Sequence, residues 1–410
     1  MRDPILLSSN KQTLLSSIAA QAVSIGMPCY LVGGCVRDLL LGKSVNDIDI
    51  IVEGDVIKLG EALVYKHGGK LTPHTKFRTA NWHLPESWNL TPGTLDLITA
   101  RSETYAHPGA LPAIKPSTIE DDIRRRDFTI NAMAVRIDGE HFGELFDPLN
   151  GQADLEEGII RVLHSGSFVD DPTRIFRAIR YEGRYAFKLD PETLKLINFD
   201  SLAVISKLSG ERTRHELDLI FEEQNPALMF SRMGVLGVLS AIKPMLPIMD
   251  EKYFRLINST PSDEFGISYN RTLLGYLLLL MDTSVDIISQ ISKRLDFNSE
   301  LTEASLATVR LKIELPSLLG SKPSLWTARL EKVRLITVYT LWLATNESAL
   351  KEFLVKWRHV KIKTTGDDLK ARGIPPGPRY KEILISLRAA WLDGEVKNDK
   401  EEEELLNTLL

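Results

Sequence analysis

Cysteine is almost absent from this chain. Only Cys29 and Cys35 occur in 410 residues, too few for a disulfide framework or a zinc site. Long apolar runs are also missing. The longest candidate, Tyr276 to Met281, is far too short to span a bilayer. The N-terminus shows no charged-then-apolar signal, so a cytoplasmic protein with no membrane association is expected. Positive charge is not in excess either, since the net charge is −5. Any surface for nucleic acid must therefore be local. What remains is ordinary globular composition, 43% hydrophobic and 26% charged, with length enough for two to four domains.

The most informative stretch is Tyr30 to Val52, YLVGGCVRDLLLGKSVNDIDIIV. Tyr30 to Val32 reads as a strand stopped by Gly33-Gly34. Two glycines permit a tight turn and close approach of a ligand. Cys35 to Leu41 has helical spacing and ends at Gly42, a helix stop signal. A glycine turn that feeds a helix leaves backbone N–H groups for phosphate. Asn46 to Val52 then reads as a second strand. Residues two apart share a strand face, so Asp47 and Asp49 project together while Ile48 and Ile50 face a core. Two carboxylates on one face repel, and a divalent cation resolves that. Mg²⁺ favours one or two carboxylates plus substrate phosphates. Taken alone, an Asp-x-Asp pair on an edge strand is ordinarily solvated, and a Gly-Gly pair is ordinarily a turn.

The arrangement G-G-x-x-R-D (Gly33, Gly34, Arg37, Asp38), then Gly42, then D-x-D resembles the first motif of class II tRNA nucleotidyltransferases and bacterial poly(A) polymerases. These form a branch of the polymerase β-like nucleotidyltransferases. Further motifs agree. Asp121 to Val135 contains R-R-D-x-x-x-N as Arg125, Arg126, Asp127 and Asn131. Arginines there would neutralise a metal-bound triphosphate, and Asp127 with Asn131, one helical turn apart, would hold a ribose hydroxyl. By themselves, Arg124 to Arg126 read better as a solvated charge run, and Asp127 also reads as a helix cap. Thr94 to Arg101 alternates as a strand with Asp96 on one face. That residue is a surface carboxylate, or, as the resemblance implies, a third catalytic one beside Asp47 and Asp49. Ser102 to Pro116, broken by Pro108, Gly109, Pro112 and Pro116, is expected to be a loop.

Beyond Leu163 the chain turns helical. Asp171, Arg174, Arg177, Arg180 and Arg184 recur every three or four residues and form one largely basic stripe. Asp171 and Arg174 match the third family motif, (E/D)-D-x-x-R, with Asp170 where glutamate is usual. The alternative for Asp171 is a cap on the helix that Pro172 begins. Gly210 to Leu217 matches a further family segment, E-R-x-x-x-E-L, read here as bracing between helices. Lys351 to Arg388 holds ten Lys or Arg against four Asp or Glu. Its Gly-Ile-Pro-Pro-Gly-Pro turn resembles the C-terminal segment of these enzymes, which points to RNA backbone contact by Lys370, Arg372 and Arg379. Glu401 to Glu404 reads as a solvated helix start. No His-Asp dipeptide occurs, so the HD-type phosphohydrolase domain of some relatives is not expected.

The resemblance implies an α/β nucleotidyltransferase head (1–150, mixed sheet with helices) followed by an all-α neck (151–225), body (226–325) and tail (326–410). It implies template-independent transfer of CMP and/or AMP from CTP and ATP to the tRNA 3′ end. The metal ligands would be Asp47 and Asp49 with Mg²⁺. Nucleotide contacts would come from Gly33, Gly34, Arg37, Arg126, Asp127, Asn131, Asp171, Arg174 and Arg177. No obligate protein partner is evident. A poly(A) polymerase of the same family and a non-catalytic RNA-binding protein on this scaffold remain as alternatives.

Overall fold

The computed structural model describes residues 9–45, 48–90, 93–104, 106–110, 112–258 and 265–410. They form two compact units. The first runs to Leu208 and takes in Leu236–Ala241; the second comprises Ser209–Val235 and Ile242–Leu410.

The first unit is built on a seven-stranded mixed sheet. In chain order its elements begin with α1 (Ser9–Ser24), β1 (Cys29–Val32), α2 (Gly34–Leu40), β2 (Asp49–Val52), α3 (Val56–His67), β3 (Lys70–His74), β4 (Thr79–His83) and β5 (Thr94–Thr99). A separate hairpin, β6 (Arg101–Thr104) with β7 (Ala113–Pro116), is followed by α4 (Ile119–Arg124), β8 (Ala134–Arg136) and β9 (Leu145–Phe146). The sheet order is β3-β4-β5-β2-β1-β8-β9. Within this sheet, among the described residues, only β2 and β5 pair in parallel. Strand β2 sits centrally and is apolar on both faces: Ile50, Ile51 and Val52 are all buried, as a covered strand requires. On one face Val56, Leu59 and Leu63 of α3 lie buried with Trp82, Leu95 and Leu97. Each such side chain contributes about 1.5–3 kcal/mol by burial. Gly60 lets α3 approach β3 closely, since a Cβ there would sit 2.5 Å from Leu71. On the other face Tyr30, Val32, Ile51 and Ala100 pack with Ile119 and Ile123 of α4.

The hairpin β6–β7 corrects the expectation of a plain loop over 102–116. Four residue pairs from Arg101–Pro116 to Thr104–Ala113 are in register. The breakers Pro108, Gly109 and Pro112 lie between the strands, and Pro116 sits at a strand end, where a missing N–H costs nothing. Past the sheet come α5 (Gly151–Glu157), β10 (Ile159–Ile160), α6 (Ser167–Asp170) and α7 (Thr173–Tyr185).

The second unit is helical. Gly210–Phe221 packs against Arg271–Leu280, where Gly275 faces the Phe221 ring and a Cβ would sit 2.4 Å away. The chain ends in Gly366–Ala371, Pro378–Leu392 and Asp399–Leu409, which share a small core of Leu369, Ile383, Leu387 and Leu406. No helix among the described residues is long and apolar enough to cross a membrane.

Candidate active site

The parallel pairing of β2 with β5 sets Asp49 opposite Asp96. Residues in register on neighbouring strands project to one side, so the two carboxylates stand beside each other at the edge of the α4-side core. Ile48 and Ile50 face away and are buried. Asp96 is exposed and accepts a hydrogen bond from Asn81 on β4. Burial pushes the Cys35 thiol up to about 12, and the negative charges of Asp49 and Asp38 add to this, opposed by Lys11. Asp47 lies outside the described residues. Among the described residues no group of three His, Cys, Asp or Glu is assembled for a metal. The Asp49–Asp96 pair nevertheless fits Mg²⁺ by its chemistry: two hard oxygen donors on a partly open face, which leaves room for substrate oxygens.

The glycine turn lies under an arginine. Gly33 has φ +64°, a left-handed conformation natural to glycine. A Cβ on Gly33 would lie 2.4 Å from Nη1 of Arg126, so any larger residue collides with the guanidinium. Gly34 opens α2. Arg126 is anchored through Nη2 to Asp122 Oδ2 (2.9 Å), and its buried Nε has no hydrogen-bond partner. Asp122 is fully buried and also holds Arg125 at 2.7 Å, which in turn reaches Glu103 at 2.8 Å. Only Arg124, paired with Glu120 on the surface, behaves as a solvated charge.

The remaining motif residues of the head hold one another. Arg37 is 5% exposed. Its Nη1 donates to Asn131 Oδ1 (2.7 Å), its Nε and Nη2 to Asp38 (2.9 Å each), and its guanidinium lies 5.3 and 4.9 Å from the Tyr181 and Tyr185 rings. Asn131 donates to Asp127 Oδ1 (2.9 Å), and Asp127 Oδ2 accepts from Nε of Arg177 (2.7 Å). Burial works against the charged Asp127 carboxyl, yet the Arg177 charge and the bonds from Asn131 and Arg177 hold it below the usual range. A continuous chain thus runs from α2 through the three-residue turn Thr129–Asn131 to α7.

The basic stripe of α7 is only partly a surface. Arg174 and Arg180 are each 5% exposed. Arg174 reaches into the head: Nη1 donates to Ser167 Oγ (2.7 Å) and Nη2 to the Arg125 carbonyl (2.9 Å). Asp171 precedes α7, and its Oδ1 accepts from the Thr173 N–H (3.2 Å) and Oγ1 (2.7 Å). That is a capping geometry for the first turn.

In the second unit Lys370, Arg372 and Arg379 are exposed. Arg372 donates to Asn407 (3.0 Å) and pairs with Glu403, while Arg379 donates to the Leu409 carbonyl (2.7 Å). The reading of Glu401 to Glu404 as solvated is corrected at Glu402, which is 2% exposed. It accepts from the N–H groups of Lys363 (3.2 Å) and Thr364 (2.7 Å) and from Trp391 Nε1 (2.6 Å). These bonds hold its carboxyl below the usual range although burial pulls the other way. Asn81, Asp122 and Glu103 were not singled out from sequence. Asp122 was within reach, because Arg125 and Arg126 follow it at helical spacing; nothing in the sequence marked Asn81 or Glu103.

Comparison with known proteins follows the geometry. Residues 29–161 match the family model described as the poly A polymerase head domain. Residues 186–249 match the one described as a probable RNA and SrmB-binding site of polymerase A. An A-adding tRNA nucleotidyltransferase of Halalkalibacterium halodurans is 31% identical over 96% of this chain and 92% of its own length. One of Geobacter sulfurreducens is 34% identical over 95% of this chain, which spans about half of that relative, 46%. A CC-adding enzyme of Deinococcus radiodurans is 36% identical over 93% of this chain and 89% of its own length. Among solved structures, a CCA-adding enzyme without ligand superposes with a TM-score of 0.85 at 32% identity, covering 98% of this chain and 97% of that one. The Thermotoga maritima CCA-adding enzyme complexed with tRNA does so with a TM-score of 0.77 at 30% identity, with the same coverage.

Proposed function

The chain belongs to the tRNA nucleotidyltransferase family, and we propose that it adds CMP and/or AMP to the 3′ end of tRNA, from CTP or ATP, without a nucleic-acid template. The observation that carries the reading is the Asp49–Asp96 pair in register on β2 and β5, on the sheet whose β1 leads into the Gly33 turn beneath Arg126. Asp49 and Asp96, together with Asp47, would hold Mg²⁺. Bound there, the metal would supply Lewis-acid activation of the RNA 3′-hydroxyl and neutralise phosphate charge.

This chain's own residues do the rest. The Gly33-Gly34 backbone and Arg126 receive the triphosphate. Arg37, Asn131 and Asp127 fix the turn against α7 and present the ribose side of the site. Asp171 and Arg174 read the base. Cytosine and adenine both offer an amino donor beside a ring-nitrogen acceptor, which an acceptor-only aspartate and a donor-only arginine can meet. Uracil and guanine invert both groups, and unpaired buried polar groups are expensive. Lys370, Arg372 and Arg379 contact the tRNA backbone.

The test is transfer of label from single nucleotides to tRNAs that lack CCA, CA or the final A. Incorporation of one to three residues that stops at CCA supports the reading and identifies which step the enzyme performs. Long A tails on unrelated RNA would replace it with a poly(A) polymerase. No incorporation with Mg²⁺ present would leave an RNA-binding protein on this scaffold.

A further inference from the structure

The outer hairpin of the head sheet carries the row of carboxylates outward. Asp49 is in register with Asp96, Asp96 with Asn81, and Asn81 with Thr72. Alternation puts Lys70, His74, Thr79 and His83 on that same face. The opposite face is the apolar one, where Ala80 and Trp82 are buried. At about 4.8 Å per strand, the row from Asp49 to Thr72 extends roughly 14 Å, the span of about four stacked nucleotides.

Hydrogen bonds order this face. A carboxylate only accepts, so the Asn81 amide nitrogen must face Asp96, and Asn81 Oδ1 is left to accept from Nε2 of His74 (2.7 Å). Thr72 Oγ1 and His83 Nε2 lie 3.1 Å apart. The charge is equally one-sided. Residues 62–85 contain no Asp or Glu but hold Lys66, Lys70, Lys76 and Arg78, in a chain of net charge −5. At the tip, the turn 75–78 leaves Phe77 56% exposed, with Lys76 Nζ 5.7 Å from its ring. An exposed ring among cations, beside a polar face, is the chemistry that stacks bases and tracks a single-stranded backbone.

We propose that this face of β3 and β4 seats the unpaired 3′ end of the RNA acceptor. Phe77 stacks a base, and Lys70 and Lys76 meet phosphates. Asn81, oriented by His74, positions Asp96 where the strand ends. The nature of the acceptor rests on the nucleotidyl-transfer reading, but the surface itself is tested by binding alone.

The probe is an RNA stem-loop with a single-stranded 3′ overhang. The overhang carries 2-aminopurine, whose emission is quenched on stacking, upstream of its terminal nucleotide, where the strand passes the hairpin tip. It is titrated with the full chain, without nucleotide, next to a blunt stem-loop. The wild type is expected to quench the probe and prefer the overhang. Phe77→Ser with Lys76→Ser should lose the quench and weaken overhang binding about tenfold, with blunt-stem binding and the ATP and CTP KM unchanged. Tyr65→Ser, which removes a ring 95% exposed elsewhere on the head, should alter nothing. If the double variant does not fold, Phe77→Leu keeps an apolar tip and must still lose the quench. Equal quenching and affinity in wild type and variants overturns the surface, as does a wild type that binds both RNAs equally. A wild type that binds the overhang but transfers no nucleotide overturns the proposed activity and leaves the surface standing.

Discussion

Arginine is used in opposite ways in the head and the tail. Arg37 and Arg174 are each 5% exposed, and their guanidinium groups donate to Asn131, Asp38, Ser167 and the Arg125 carbonyl. Arg372 and Arg379 stand in solvent and pair with Glu403 and Glu382. A guanidinium with several donors bonded inside the protein is held in one place, and meets a ligand only through the N–H groups those bonds leave over. A surface pair costs little to open, because water and salt screen it. One residue type in family-like motifs therefore does two jobs, and burial tells them apart.

The largest effect is expected where the head meets substrate. Asp49→Asn should lower nucleotidyl transfer on the order of 10³-fold or more, since a metal's transition-state stabilisation is worth several kcal/mol. Mn²⁺ titration of the free protein by electron paramagnetic resonance gives a second readout, in which the variant should bind more weakly. Unchanged transfer and unchanged Mn²⁺ affinity would remove Asp49 from the metal.

Arg37→Met breaks the comparison from the other side. It removes the arginine donors from Asn131 Oδ1 and from the Asp38 carboxylate, which retains the Tyr185 hydroxyl (3.3 Å). Loss of one member of a buried pair costs about 3–5 kcal/mol, and Asp38 keeps some solvent access, so the lower end applies. Thermal denaturation should fall by roughly 6–12 °C for a unit of about two hundred residues. A variant that melts like the wild type but loses triphosphate affinity would mark Arg37 as a ligand contact instead.

Asp127 supplies a sign test. Its carboxyl is held below the ordinary value, so in the wild type the unfolded chain binds more protons. Its contribution is present above pH of about 4 and is lost as pH falls through the folded value. In Arg177→Met burial dominates and the carboxyl should rise above its unfolded value. Stability from this group should then increase as pH falls from 7 towards 4. Denaturant midpoints at several pH values check this. A wild-type slope retained in Arg177→Met would show that Asn131, the Phe128 N–H and the Arg174 charge suffice to keep Asp127 charged.

Asp171 lies between the two regimes, capping α7 while facing the proposed base site. Asp171→Asn keeps an oxygen for Thr173, so melting should move by less than about 1 kcal/mol. Selectivity for CTP and ATP over UTP and GTP should fall about tenfold or more, against a ceiling of about 10⁴ for such sites. Unchanged discrimination among the four nucleotides leaves Asp171 a cap only.

Much of the head was legible because its signals are local. Strand β1, the glycine turn and helix α2 follow from a short apolar run, breakers and helical spacing. Asp96 was visible as an alternating residue, but its place opposite Asp49 depends on a parallel pairing across forty-odd residues that no local pattern encodes. The loop expected over 102–116 failed because breakers mark where a chain turns, not whether its flanks pair. Glu402 failed for a similar reason. Four consecutive glutamates read as solvent-facing until a distant Trp391 and the Lys363–Thr364 backbone supply donors.

The smallest effect is expected in the tail. Arg372 gives up only a surface pair with Glu403 and one bond to Asn407, so Arg372→Glu should cost about 1 kcal/mol or less in stability. Its influence should show in tRNA affinity instead. Each lost phosphate contact lowers the slope of log K against log salt by roughly 0.7–0.9. Lys370→Glu with Arg372→Glu and Arg379→Glu should therefore flatten the slope by about two to three, while the KM for nucleotide stays as it was. Binding measured between low and moderate salt decides it. A parallel shift to weaker binding, with slope intact, would mean that the Pro-Gly turn braces the tail helices and leaves the RNA phosphates to other cations. Restoring Arg372 alone then separates the two. A phosphate contact recovers about one unit of slope, whereas a brace recovers melting temperature and no slope.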